Sequence, residues 1–190
     1  DVTGGMLLGA GILDGDLRLA SGGTLANPAF GGNLTVGGHL VFEPGSLWQL
    51  GVRADGGVTP LQVAGSAQLG GDLLVLVGGG GGGDYADGTV YRILNAASVS
   101  GEFDSVASDL VFLTPTLNVG SNYVDLILGR NETQFVQVSL TRNQRAVAEA
   151  LDVLDPANPV ATYVSGLNAQ GARRAYDQLS GDSLTAGLTS

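Results

Sequence analysis

Gly32-Asn33-Leu34-Thr35-Val36-Gly37-Gly38-His39-Leu40-Val41-Phe42-Glu43-Pro44-Gly45-Ser46 holds two three-residue alternating runs and two turn signals. Leu34-Thr35-Val36 and Leu40-Val41-Phe42 have the period of two that a half-buried strand requires. Gly37-Gly38 and Pro44-Gly45 are turn formers, because Gly accepts backbone angles that other residues avoid and Pro presets one. The stretch therefore predicts strand, turn, strand, turn, with strands too short for each to carry a hairpin core.

The same texture extends in both directions. Upstream lies Leu17-Arg18-Leu19. Downstream follow Trp48-Gln49-Leu50-Gly51-Val52, Leu61-Gln62-Val63 and Leu73-Leu74-Val75-Leu76-Val77. Tyr91-Arg92-Ile93-Leu94 and Tyr123-Val124-Asp125-Leu126-Ile127-Leu128 complete the series. Gly22-Gly23, Gly31-Gly32, Gly56-Gly57 and Gly70-Gly71 fall in the gaps. Residues 1–130 thus read as β throughout. Short strands of this kind form a sandwich, a barrel or the rungs of a solenoid. The Gly-rich, semi-repetitive pattern favours the solenoid, in which apolar residues stack in columns from rung to rung.

A stack of rungs ends in an open edge of unpaired backbone groups, which calls for a cap. Residues 85–130 hold Tyr85, Tyr91, Phe103, Phe112 and Tyr123, side chains large enough to close such a stack. Tyr91, Ile93, Leu94, Phe103, Val106, Phe112, Leu117, Leu126 and Leu128 are the expected core of this cap.

The period changes after residue 139. Thr141 with Gln144 fits a capping box. Leu140, Val147, Leu151 and Leu154 then share one helical face. Asp155-Pro156-Ala157-Asn158-Pro159 ends that helix. A second helix is expected from about 160 to 167. A third runs from about 169 to 179, with Ala172, Ala175, Tyr176 and Leu179 on one face. Ser180-Gly181-Asp182 stops it.

Composition narrows the function classes. Gly accounts for 32 of 190 residues, 44% of the chain is hydrophobic and 14% is charged. The net charge is −10, and all eight basic residues are Arg. Such a chain offers no basic surface for nucleic acid or anionic lipid; its acidity serves solubility. Cys is absent, so neither a disulfide framework nor a thiolate site exists. That suits a chain that crosses a membrane unfolded. No run of about 18 apolar residues suggests a spanning helix. No signal peptide opens the chain, which starts mid-pattern at Asp1-Val2-Thr3-Gly4-Gly5 and reads as part of something longer.

The search for chemistry finds little. A Ser–His–Asp triad would need His39, the single His, but no Gly-x-Ser-x-Gly elbow accompanies it. A His flanking a turn on a solenoid surface is the simpler reading. Metal sites recruit several His or Cys, so no metal or cofactor is expected. Asp14 and Asp16 stand as a carboxylate pair in Leu13-Asp14-Gly15-Asp16-Leu17, a spacing read as a turn. Gly78 to Gly83 reads as a flexible loop; no Lys or helix start follows to make it a phosphate cradle. Gly79 to Asp84 fits one copy of a calcium-binding nonapeptide, where such rolls need tandem copies. Arg173-Arg174 reads as the solvated side of a helix. Asn131-Glu132-Thr133 and Asn33-Leu34-Thr35 match the N-glycosylation pattern, a cheap match.

The order of these segments resembles the C-terminal passenger region of bacterial type Va autotransporters. The stretch 32–46 resembles that family's rungs, and Leu61 through Gly71 resembles the next one. Gly88-Thr89-Val90-Tyr91-Arg92-Ile93-Leu94 is similar to a following family segment, as is Val99-Ser100-Gly101-Glu102-Phe103-Asp104-Ser105-Val106. Phe112 to Leu117 and Val124 to Leu128 continue the series. Asn143 to Ala148 and Tyr176 to Gly181 resemble the helical stretch before a barrel. The likeness covers residues 20–185 in order. It departs from the family at Leu25-Ala26-Asn27-Pro28-Ala29-Phe30 and at Gly57-Val58-Thr59-Pro60. It implies a right-handed parallel β-helix in 1–84, an autochaperone cap in 85–138 and a helical junction in 139–190. A C-terminal β-barrel translocator would follow, and any catalytic head would lie upstream. The resemblance carries over no catalytic residue, so the fragment is expected not to be an enzyme. It implies a cell-surface or extracellular location in a Gram-negative bacterium. Implied partners are the protein's own barrel, the upstream passenger and a host surface or serum protein. A second reading is an adhesive β-solenoid, whose Thr-, Asn- and Gln-rich faces contact host protein or glycan.

Overall fold

The computed structural model describes residues 1–27, 32–77, 85 and 87–181. The glycine run from Gly78 to Gly83, Asp84 and Ala86 lie outside these residues, as does Asp182. The protein is mainly β, with parallel sheets and a helical C-terminal part.

Fifteen strands are described. β1 (Gly5–Leu8), β2 (Gly11–Leu13) and β3 (Leu17–Leu19) are followed by β4 (Gly23–Asn27), β5 (Leu34–Val36) and β6 (Leu40–Phe42). Next come β7 (Leu47–Val52), β8 (Leu61–Val63), β9 (Ser66–Leu69), β10 (Asp72–Val77), β11 (Thr89–Asn95) and β12 (Ser98–Gly101). β13 (Ser105–Ser108), β14 (Leu113–Val119) and β15 (Tyr123–Arg130) end the series.

Pairing follows every third strand. One sheet has the order β1-β4-β7-β10-β13, a second β12-β9-β6-β3, and both are parallel throughout. The third has the order β14-β15-β11-β8-β5-β2. It is parallel from β2 to β11, then antiparallel through β15 and β14. The inward side chains of the three sheets share one core: Leu25, Trp48, Leu50 and Leu73 from the first, Leu19, Leu40 and Phe42 from the second, Val36, Leu61 and Leu94 from the third.

The turns between sheets also stack. The Gly38 N–H donates to the Gly15 carbonyl at 3.1 Å, Gly65 to Gly38 at 2.9 Å, and Ala97 to Gly65 at 2.9 Å. A Cβ at Gly65 would lie 2.7 Å from the Gly38 oxygen, so this position has no room for a larger residue. At another corner Gly71 has φ +62°, and a Cβ there would overlap the Ser46 carbonyl.

Three helices follow: α1 (Arg142–Asp152), α2 (Pro159–Ser165) and α3 (Ala169–Ser180). The expected capping box starts α1, with Thr141 Oγ1 accepting from the Gln144 N–H. Asn158 caps α2, whose first residue is Pro159. Gly181 ends α3 in the left-handed conformation at φ +81°. The buried faces agree with those expected only in part. Leu140 and Leu179 are 74% and 53% exposed, and Leu154 is exposed as well. Leu151 of α1 and Ala172, Ala175 and Tyr176 of α3 are buried as expected, and Val147 packs against the same cluster, while Gln144 and Ala148 of α1 are buried in addition. The short helices pack closely through small residues. The buried Gln144 amide is satisfied, accepting from the Leu140 N–H and donating to Asp177.

Candidate capping and folding site

The parallel pairing ends at β11, β12 and β13, and the segment β14–β15 closes it. Both edges of β15 are used: one against β11, the other against β14. Val124, Leu126 and Leu128 alternate inward along β15 and are fully buried. β11 carries a bulge between Arg92 and Leu94. The extra residue lets Ile93 and Leu94, neighbours in sequence, both reach the core. Tips of the hairpin cover the adjoining corner, where Val99 and Ala96 N–H groups donate to the Ser121 and Asn122 carbonyls. On the outside, Arg92 ion-pairs with Asp125 and lies 4.0 Å from the centre of the Tyr123 ring. This bond to Asp125 raises the Arg92 pKa.

The nine residues expected to form the cap separate into three groups. Tyr91, Ile93, Leu94, Leu126 and Leu128 are buried in the core shared by the sheets. Phe103, Val106 and Leu117 are half-buried and pack against its margin. Phe112 belongs to a different cluster, with Phe135, Leu151, Val164 and Tyr176. It precedes β14 and meets Phe135 edge-on at 4.9 Å.

Phe112 thereby joins the helices to the sheets. Arg130 lies over Phe112 and Phe135 at 5.3 and 4.9 Å and donates to the Phe112 carbonyl at 2.9 Å. Burial lowers the pKa of its guanidinium. Asp152, at the end of α1, accepts the N–H groups of Phe135 and Val136 at 2.7 and 3.1 Å. The Tyr176 hydroxyl donates to the Phe135 carbonyl. A cavity of about 160 Å³ remains at this junction, lined by Tyr85, Arg130, Leu151, Asp152 and Ser165 among others.

One buried polar group of the core, Asn27, escaped the sequence reading. Trp48 stacks on Phe42 at 5.5 Å and meets Phe103 at 5.9 Å. Its indole N–H donates to Asn27 Oδ1 at 2.9 Å, and both residues are buried. Tyr85 and Tyr91 tie their segment back to the end of β7 by donating to the Val52 and Arg53 carbonyls. The aromatic count drew attention to the last two, but no local signal marked Asn27.

The candidate catalytic groups have other partners. Asp16 accepts the main-chain N–H of His39 at 2.7 Å, while the ring Nδ1 of His39 faces Ser66 Oγ at 2.8 Å and accepts the Ser66 N–H at 3.1 Å. The three residues occupy equivalent places in successive turns. The carboxylate holds the backbone of His39, whereas a triad carboxylate orients the ring. Asn131 accepts the Thr133 N–H and donates to the Val111 carbonyl, so it shapes a turn. Arg173 is only partly solvated, because its Nε donates to the Val138 carbonyl. Among the described residues, no group of three His, Cys, Asp or Glu is placed to hold a metal ion. No helix among them is long and apolar enough to cross a membrane.

No known protein-family model, curated protein or solved structure matches the chain.

Proposed function

We propose that the chain is the C-terminal stem of an autotransporter passenger, a right-handed parallel β-helix whose last strands act as a folding template. The observation that carries this reading is the change of pairing at the end of the sheets. Up to β13, partners lie far apart in sequence: 23 residues for Asp16 and His39, 27 for His39 and Ser66, 33 for Asp72 and Ser105. In the hairpin, Thr116 and Ile127 are 11 apart. Local pairs close early because little chain entropy is lost in bringing them together. The hairpin can therefore form first and offer the edge on which β11, then β8, β5 and β2, pair in turn.

Regular pairing of every third strand is what a three-sided β-helix requires, and crossovers between parallel strands of one sheet are right-handed in nearly all proteins. Each added rung buries Leu and Val at about 25 cal/mol per Å² of apolar surface. In an exported passenger the C-terminal rungs, residues 24–130, leave the barrel pore before those upstream of them. Growth on this template then draws the chain outward without ATP.

The test is deletion of residues 85–130 from the parent protein. The passenger is expected at the cell surface but sensitive to protease. Full protease resistance of the deletion contradicts the proposal.

A further inference from the structure

Asp16, His39 and Ser66 form one column at a corner of the sheets, each just before the paired positions Leu17, Leu40 and Ala67. The corner is tied in the same way at both steps. The side chain of one column residue accepts the main-chain N–H of the next. Asp16 Oδ1 accepts from His39 at 2.7 Å, and His39 Nδ1 accepts from Ser66 at 3.1 Å. The Ser66 hydroxyl lies 2.8 Å from the same Nδ1. Glycines leave room for both acceptors. A Cβ at Gly38 would overlap the Asp16 carboxylate, and one at Gly65 would lie 2.8 Å from the ring nitrogen.

The two acceptors differ in one respect. A carboxylate accepts throughout the neutral range, whereas an imidazole nitrogen accepts only while it carries no proton. The Ser66 N–H therefore selects the neutral tautomer of His39 that has its proton on Nε2. A second proton would set an Nδ1–H against the Ser66 N–H, two donors facing each other. The charges around the ring lie on one side of it. Asp14 and Asp16 belong to the turn before β3, and Arg18 on β3 is already paired with Glu43. On the other side, Ala64, Gly65 and Ser66 of the turn into β9 carry no charge.

We propose that His39 is a proton-operated clasp between successive turns of the chain. With a neutral ring it holds the following turn through Ser66. With a charged ring it releases the Ser66 N–H and swings to the Asp16 carboxylate of the preceding turn. That turn lies about 4.8 Å away, one strand spacing, within reach of a side-chain rotation, and a charge-assisted bond to the carboxylate rewards the move. The corner between β8 and β9 loosens, while the bond from the His39 N–H to Asp16 stays in place. Histidine suits the role because its charge changes between about pH 5 and 8. His39 is exposed, so a proton reaches the ring without opening the core. The clasp stands on the hydrogen bonds of this corner and is independent of export.

Nuclear magnetic resonance of the isotope-labelled chain, titrated from about pH 8 to 5, tests the clasp. At the upper end the ring nitrogen shifts are expected to show a bare Nδ1 and a protonated Nε2. As the ring gains its second proton, protection of the Ser66 amide against hydrogen exchange is expected to fall about five- to tenfold, the loss of one hydrogen bond. The Asp16 carboxyl carbon is expected to shift over the same range. In the His39→Gln protein, whose side-chain oxygen accepts at every pH, neither change is expected. A proton on Nδ1 at the upper end overturns the proposal, as does unchanged Ser66 protection while the ring titrates. An equal loss at Ser66 in the His39→Gln protein also overturns it, by assigning the loss to another group. So does a loss at Ser66 with no response at Asp16, which would leave no exchange of partners.

Discussion

Thr24 finds its neighbour in Leu47, and Leu47 in Asp72, each three strands further along the chain. Thr116 finds Ile127 only 11 residues away, across a single turn. The parallel sheets and the hairpin are thus made of similar strands but depend on contacts of different reach. A strand of the parallel sheets has no partner until a distant strand is in place, whereas the hairpin supplies its own. The helices stand apart again: their core of Phe112, Phe135, Leu151 and Tyr176 is separate from the core of the sheets.

Trp48→Ala should break the sheets most. It empties the aromatic centre of the core and leaves Asn27 Oδ1 buried without its donor, at a cost of about 3–5 kcal/mol. Denaturant unfolding should show a single transition at lower midpoint for the whole β region. Phe135→Ala should cost about 3 kcal/mol but act on the other side of the divide. Helical circular dichroism should melt before the β signal, as expected of two cores; one shared transition would show that the junction couples them tightly.

Gly71→Ala sharpens the comparison within the sheets. It forces a Cβ against Ser46 at a left-handed backbone position, for about 1–3 kcal/mol. Gly88, at φ +77° before β11, has no atom within 4 Å of such a Cβ and should lose less on the same substitution, as equilibrium unfolding of the pair would show.

Alkaline pH separates the regions more gently. Burial raises the phenol pKa of Tyr91 in the sheets and of Tyr176 in the helices well above the ordinary value. The unfolded phenols ionise near pH 10 and the folded ones do not. This contribution to stability is therefore complete below about pH 10 and declines as pH rises above it. Tyr91→Phe should flatten the alkaline loss followed by the β signal, and Tyr176→Phe that followed by the helical signal.

Much of the β region was legible because period-two runs such as Leu17-Arg18-Leu19 and Leu34-Thr35-Val36 bury their alternate residues as written. The partner of each strand was not. A run of three residues does not encode direction, so nothing local distinguished the antiparallel hairpin from another pair of parallel strands. β1, β2, β4, β9, β12, β13 and β14 lie outside the alternating runs that the sequence singled out. The helix ends were legible from Thr141, Gln144 and Pro159, whose chemistry is local. Their buried faces were legible in part: Leu151, Ala172, Ala175 and Tyr176 are buried on the expected faces, but Leu140, Leu154 and Leu179 are exposed and Gln144 is buried in α1. Phe112 looked like a cap residue by composition, yet it faces the helices, a matter of tertiary direction only.

Pulsed hydrogen exchange during refolding of the chain tests the template most directly. The account predicts that amides of β14 and β15 gain protection first, followed by β11 and then β8 and β5. Protection that begins at β2 and β5 and reaches the hairpin last would contradict it.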